Sequence, residues 1–173
     1  MKEQKPISHL VAGLIIAAVL IVYSVCMQFS GIDQTGIFAW IPYVVIIAGL
    51  ISFINMYGNA KKNQVSFGNL FGYGFKTTAV LTLVLIFFTI IFFLIFPEIK
   101  AKMFEVARQK MEERGSMTDD EIEKGLALWH KMFWVFTIGG IMLVYAIVGA
   151  IGSLIGAAIT KKKPINPADQ SGM

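Results

Sequence analysis

The sequence predicts an all-α, polytopic membrane protein with four transmembrane helices and an extracytoplasmic amphipathic helical hairpin between the third and fourth spans. Three observations predict it. The chain of 173 residues is 56% hydrophobic and only 15% charged, where soluble domains carry roughly a quarter charged residues. The runs Leu10–Phe29, Ile37–Tyr57, Thr77–Phe96 and Phe133–Ile159 contain no Asp, Glu, Lys or Arg, and each reaches the roughly 20 residues that cross a hydrocarbon core of about 30 Å. The lysines between these runs gather at alternate junctions.

Taken in order, the first run follows Lys2 and Lys5 in the manner of a signal peptide. Its apolar core exceeds the usual h-region of about 7–15 residues and no A-x-A-like site follows, so we expect it to be retained. Cys26, the only cysteine, excludes an intrachain disulfide or a cysteine metal cluster and is expected as a buried thiol. Val25 before it is not the small residue of a lipidation site. In the second span Pro42 is placed to kink the helix, and Asn55, like Gln28 in the first, to bond across helices. The aromatic and glycine-rich stretch Ser66–Phe75 reads as a short segment lying on the membrane surface with Lys76 snorkelling. It lacks G-x-x-x-x-G-K-[ST] and is no phosphate loop.

Pro97 stops the third span. Ile99, Met103, Val106, Ala107 and Met111 then recur at helical spacing, which predicts an amphipathic helix over Glu98–Arg114. Glu98 with Lys102 and Glu105 with Arg108 are its expected ion pairs. Gly115 ends it, and Thr118-x-x-Glu121 forms a capping box that starts the next helix. Ile122, Leu126, Trp129 and Phe133 make a stripe without a breaker, which predicts one helix from about Asp119 to about Thr160. The two arms, residues 98–131, form an outer hairpin able to project about 20–25 Å beyond the bilayer. One reading is a packed hairpin that merely connects two spans; the other makes its stripe at Ile122, Leu126 and Trp129 the candidate partner surface, since so long a connection calls for a reason.

Positive-inside logic places Lys2 and Lys5, Lys61 and Lys62 with Lys76, and Lys161–Lys163 on the cytoplasmic side. The turn 30–36 holds Asp33 and no Lys or Arg, as an outer turn should. Both termini of this inner (cytoplasmic) membrane protein are then cytoplasmic, although the outer hairpin also carries Lys and Arg. Residues 1–163 read as a single four-span domain, and 164–173 as a flexible polar tail. The three terminal lysines are explained by anionic headgroups rather than nucleic acid.

In the last span Gly149, Gly152, Ser153, Gly156 and Ala157 put small residues one turn apart, the candidate helix-packing face, within the chain or between copies. No span centre carries a charged residue or a histidine, where pumps and ion-coupled carriers place them. His9 and His130 fall on opposite sides under this threading, and no H-E-x-x-H or C-x-x-C occurs, so neither a metal nor a cofactor is expected. Glu123 and His130 share a helical face but read as a solvated contact, not an acid–base couple.

Ser66-Phe67-Gly68 with Phe71-x-x-Gly74, Phe96-Pro97-Glu98, and Ser153-Leu154-Ile155-Gly156-Ala157-Ala158-Ile159 followed by lysines together resemble the domain of unknown function 4199 family of Bacteroidetes integral membrane proteins. The resemblance runs from about Ser8 to Lys163. It implies a four-span inner-membrane protein and carries over no catalytic residue or ligand. The expectation is a non-enzymatic accessory or scaffold protein that contacts the lipid bilayer and a membrane protein partner or a second copy. The alternative is a small oligomeric carrier or channel.

Overall fold

The structure, a computed structural model, describes residues 6–30, 36–115 and 118–163. The expectations for Lys2, Lys5, Asp33 and the 164–173 tail lie outside the described residues. Among the described residues six α-helices follow in order: α1 His9–Phe29, α2 Ile41–Ala60, α3 Phe67–Ile95, α4 Pro97–Arg114, α5 Asp119–Lys131 and α6 Phe133–Ile159. A 3-10 turn, Gly36–Trp40, leads into α2. With that turn joined to α2, four helices are long and apolar enough to cross a membrane. Large apolar side chains such as Phe87, Leu94 and Leu143 are exposed along them, an arrangement suited to lipid and costly in water.

The contacts of the chain divide into two compact units, with boundaries inside α3 and α6: one runs through Leu85 and resumes at Val144, the other is Ile86–Leu143. The first unit is a helix bundle. Ser8 caps α1 by accepting the Val11 amide proton at 3.3 Å, which satisfies one of the helix's free donors. Ile46, Leu50 and Ile54 of α2, Leu70 and Leu81 of α3, and Ala157 of α6 are fully buried at its centre. Thr77, Thr78 and Thr82 are also buried, and each hydroxyl donates to the carbonyl four residues earlier, at 2.9, 3.1 and 2.8 Å. Their polar atoms are thereby satisfied inside their own helix.

Several local expectations change. Pro42 lies in the first turn of α2, where its missing amide costs no hydrogen bond, so it starts the helix and does not kink it. Asn55 accepts from Asn59 of the same helix at 3.0 Å and does not bond across helices. Cys26 is exposed, because a small apolar thiol is as well placed against lipid as in a core. The stretch from Phe67 to Phe75 is not a separate surface segment but the first turns of α3. Ser66 starts it by accepting the Asn69 amide proton at 3.2 Å, and the burial of Leu70 and Tyr73 outweighs the low helix propensity of its glycines.

In the second unit Phe96 leaves the helical conformation (φ −120°, ψ 68°) and Pro97 opens α4, as the steric restriction on a residue before proline requires. Gly115, at φ 60°, ends α4 in the left-handed conformation that glycine adopts freely. The Thr118 amide and hydroxyl both donate to Glu121 Oε2, at 2.8 and 3.0 Å, and fix the start of α5. The helix expected to run from Asp119 to Thr160 is interrupted at Met132 (φ −106°, ψ 18°). The interruption falls where Phe133, 1% exposed, packs edge-on to Phe93 at 5.3 Å between ring centres. Bonds from the Met132 amide to Leu128 and from the Phe136 amide to the Met132 carbonyl, both 3.0 Å, carry the chain across it.

Candidate functional site

The small residues of α6 meet two neighbours inside the first unit. A Cβ added at Gly152 would lie 3.0 Å from Leu50 Cδ1, and one at Gly156 would lie 2.7 Å from Ile54 Cδ1 and 3.3 Å from the Ile51 Cα. These positions face α2. Gly149 faces α3 and has no room for a methyl group beside Thr78. Ser153 and Ala157 are fully buried, and Ser153 occupies the space that a side chain at Gly74 of α3 would need. The face is therefore filled by α2 and α3 of the same chain, and a second copy would have to displace them.

The proposed partner stripe is divided. Ile122 is 2% exposed, and Leu126 and Trp129 are half-buried. Phe104 of α4 packs edge-on against Trp129 and flat against His130, each at 4.6 Å between ring centres. These contacts explain why α4 and α5 pair, and they give His130 a ring partner in place of Glu123. Met103 and Val106 on α4 and Leu128 on α5 remain exposed, so the outward apolar surface of the pair is theirs. Lys100 lies over the Phe133 ring at 4.3 Å, a cation–π contact that anchors the start of α4. Among the described residues the one ion pair is Arg108 with Glu112 at 2.9 Å, not either of the pairs expected from spacing. Hydrogen bonding to Glu112, then its charge, raises the Arg108 pKa above its ordinary value.

Residues that sequence spacing did not bring forward form a third feature, at the end of the first unit where α1 starts, α2 ends and α3 starts. An open cavity of about 580 Å³ is lined there by His9, Lys61, Asn69 and Lys76, with Gly68 and Gly72. Tyr57 and Tyr73, stacked at 4.3 Å, form part of its wall, and the Tyr73 hydroxyl donates to the Ile7 carbonyl at 3.0 Å. The terminal lysines reach the same end, since the Lys163 amide donates to the Asn63 carbonyl at 2.9 Å. Two features of the sequence are consistent with it but do not assemble it: Gly68, Gly72 and Lys76 recur at i, i+4 and i+8, and Asp33 is the only acidic residue between Glu3 and Glu98. No group of His, Cys, Asp and Glu able to hold a metal ion occurs among the described residues.

Four helices long and apolar enough to cross a membrane, with large apolar side chains exposed along them, fit a polytopic helical membrane protein. A family model described as "Protein of unknown function (DUF4199)" matches residues 10–162, and the chain belongs to that family. No curated protein and no solved structure matches it.

Proposed function

We propose that this chain is a non-enzymatic accessory or scaffold protein of the inner membrane, with both termini cytoplasmic and the α4–α5 pair on the outer side, where it contacts a membrane protein partner. The observation that carries this reading is the α4–α5 pair itself. It joins two spans through 31 helical residues (18 in α4, 13 in α5), far more than a connection between antiparallel spans needs. It is held together by the aromatic contacts of Phe104 with Trp129 and His130, yet it leaves Met103, Val106 and Leu128 exposed among charged residues, the composition of a helix-mediated contact.

The carrier alternative draws less support. A solute path through the first unit would need a series of polar groups free to replace water; the buried Thr77, Thr78 and Thr82 hydroxyls are already committed to carbonyls of α3, which leaves Ser153 Oγ and Asn63 Oδ1 as the buried polar side-chain atoms without a partner among the described residues.

In-membrane photocrosslinking from a probe at Leu128 tests the proposal. The expected result is one protein adduct, abolished by Met103→Asp, with the chain still inserted at normal abundance. Adducts to lipid alone, together with solute flux from liposomes holding only this chain, would reject the scaffold in favour of the carrier.

A further inference from the structure

The cavity beside Lys61 and Lys76 has the chemistry of a phosphate receptor at the membrane surface. Among the described residues neither ammonium group has a carboxylate partner, the one ion pair being on α4. The sequence supplies almost no acidic residue to compete for them, with Asp33 alone between Glu3 and Glu98. His9 and Asn69 add hydrogen-bonding groups to the same wall. The room comes from α3: Gly68 and Gly72 leave its backbone bare, and a Cβ at Gly72 would meet nothing within 4 Å.

The position of the cavity selects the source of the phosphate. α3 has 29 residues, about 43 Å of helix at 1.5 Å per residue, against a hydrocarbon core of about 30 Å. Its charge-free run starts at Thr77, so the turns carrying Gly68, Gly72 and Lys76 extend into the headgroup layer when that run fills the core. Leu10 and Phe75, next in sequence to the lining residues His9 and Lys76, are 54% and 43% exposed and offer apolar surface to acyl chains. We infer that this cavity binds the phosphate of an anionic phospholipid, with Lys61 and Lys76 neutralising its charge and the Gly68–Gly72 face admitting the headgroup.

Lipid binding to the delipidated full-length protein, followed by native mass spectrometry with phosphatidylglycerol, phosphatidylcholine and inorganic phosphate as probes, tests this. Phosphatidylglycerol is expected to bind at one saturable site in preference to phosphatidylcholine. The double variant Lys61→Gln/Lys76→Gln weakens it roughly 30-fold, from about fivefold per lysine at a membrane surface. Gly72→Leu, whose Cβ meets nothing within 4 Å and which improves helix propensity, is expected to occupy the cavity and weaken binding to a similar degree while keeping or raising the Tm. Lys62→Gln/Lys161→Gln, which removes the same charge at that end outside the cavity, changes binding less than about twofold.

Equal weakening by this control pair would show diffuse attraction of a basic surface and overturn the site. Unchanged binding in Gly72→Leu would overturn it also. Saturation by inorganic phosphate in competition with the lipid would transfer the site to a soluble phosphate compound and overturn the lipid assignment.

Discussion

Gly149 and Gly139 lie on one helix, α6, and differ only in what surrounds them. A side chain at Gly149 runs into Thr78, whereas one at Gly139 meets nothing within 4 Å. Gly149→Leu is therefore expected to destabilise the protein by about 1–3 kcal/mol, the usual cost of overpacking, while Gly139→Leu leaves the Tm in mild detergent unchanged or raised. Equal effects would mean that the close approach of α6 to α3 does not matter. The turn after α2 offers a second contrast. Lys62 adopts φ 54° and Asn63 φ 62°, a conformation that suits asparagine and strains lysine by about 1–2 kcal/mol. Lys62→Gly should raise the Tm by relieving most of that strain, offset in part by the flexibility it adds to the unfolded chain; a lower Tm would contradict it.

At the scale of single elements, the start of α5 depends on an ionised carboxylate. The Thr118 amide, then its hydroxyl, hold the Glu121 carboxyl below its ordinary value of 4.5. Because the folded pKa lies below the unfolded one, the stabilisation is fully present above the unfolded value and is lost as pH falls through the folded one. Amide exchange protection in the first turn of α5 should therefore drop as pH is lowered below about 4.5, after correction for intrinsic exchange. In Glu121→Gln that dependence should disappear; if it persists, another group carries it.

The elements that sequence periodicity announced are those with a local cause: Pro97 opening α4, Gly115 closing it and Thr118 with Glu121 starting α5. Less legible was the start of α3, where glycine and lysine lower the apparent helix propensity and the burial of Leu70 and Tyr73 decides. The interruption at Met132 was equally hidden, since it coincides with the packing of Phe133 onto Phe93 and no Pro or Gly marks it. For the same reason small-residue spacing on α6 identified a packing face without naming α2 and α3 as its occupants. The cavity is not legible in the sequence because it draws on the start of α1, the end of α2 and the start of α3, and only the glycine pair and the scarcity of acids are written locally.

For the whole molecule, the two ends of the chain's helices differ in chemistry. Lys61, Lys62 and Lys161–Lys163 are brought together at one end of the first unit by the bond between Lys163 and Asn63, as the positive-inside rule favours for a cytoplasmic face. Tyr23, whose hydroxyl donates to the Phe38 carbonyl at 2.7 Å, and Trp40 beside Tyr43 mark the opposite ends of α1 and α2 with the aromatic residues that favour a membrane interface. The proposed scaffold requires α4–α5 to lie outside with both termini cytoplasmic, whereas the proposed lipid site requires only that the basic end of the first unit lie in a headgroup layer.

The most direct measurement is labelling of single cysteines in intact cells with a membrane-impermeant maleimide, in a Cys26→Ser background. Glu113→Cys on α4 should label before lysis, and Lys62→Cys and Lys161→Cys only after it. The reverse pattern, or labelling of both sets from outside, would contradict the threading on which the account rests.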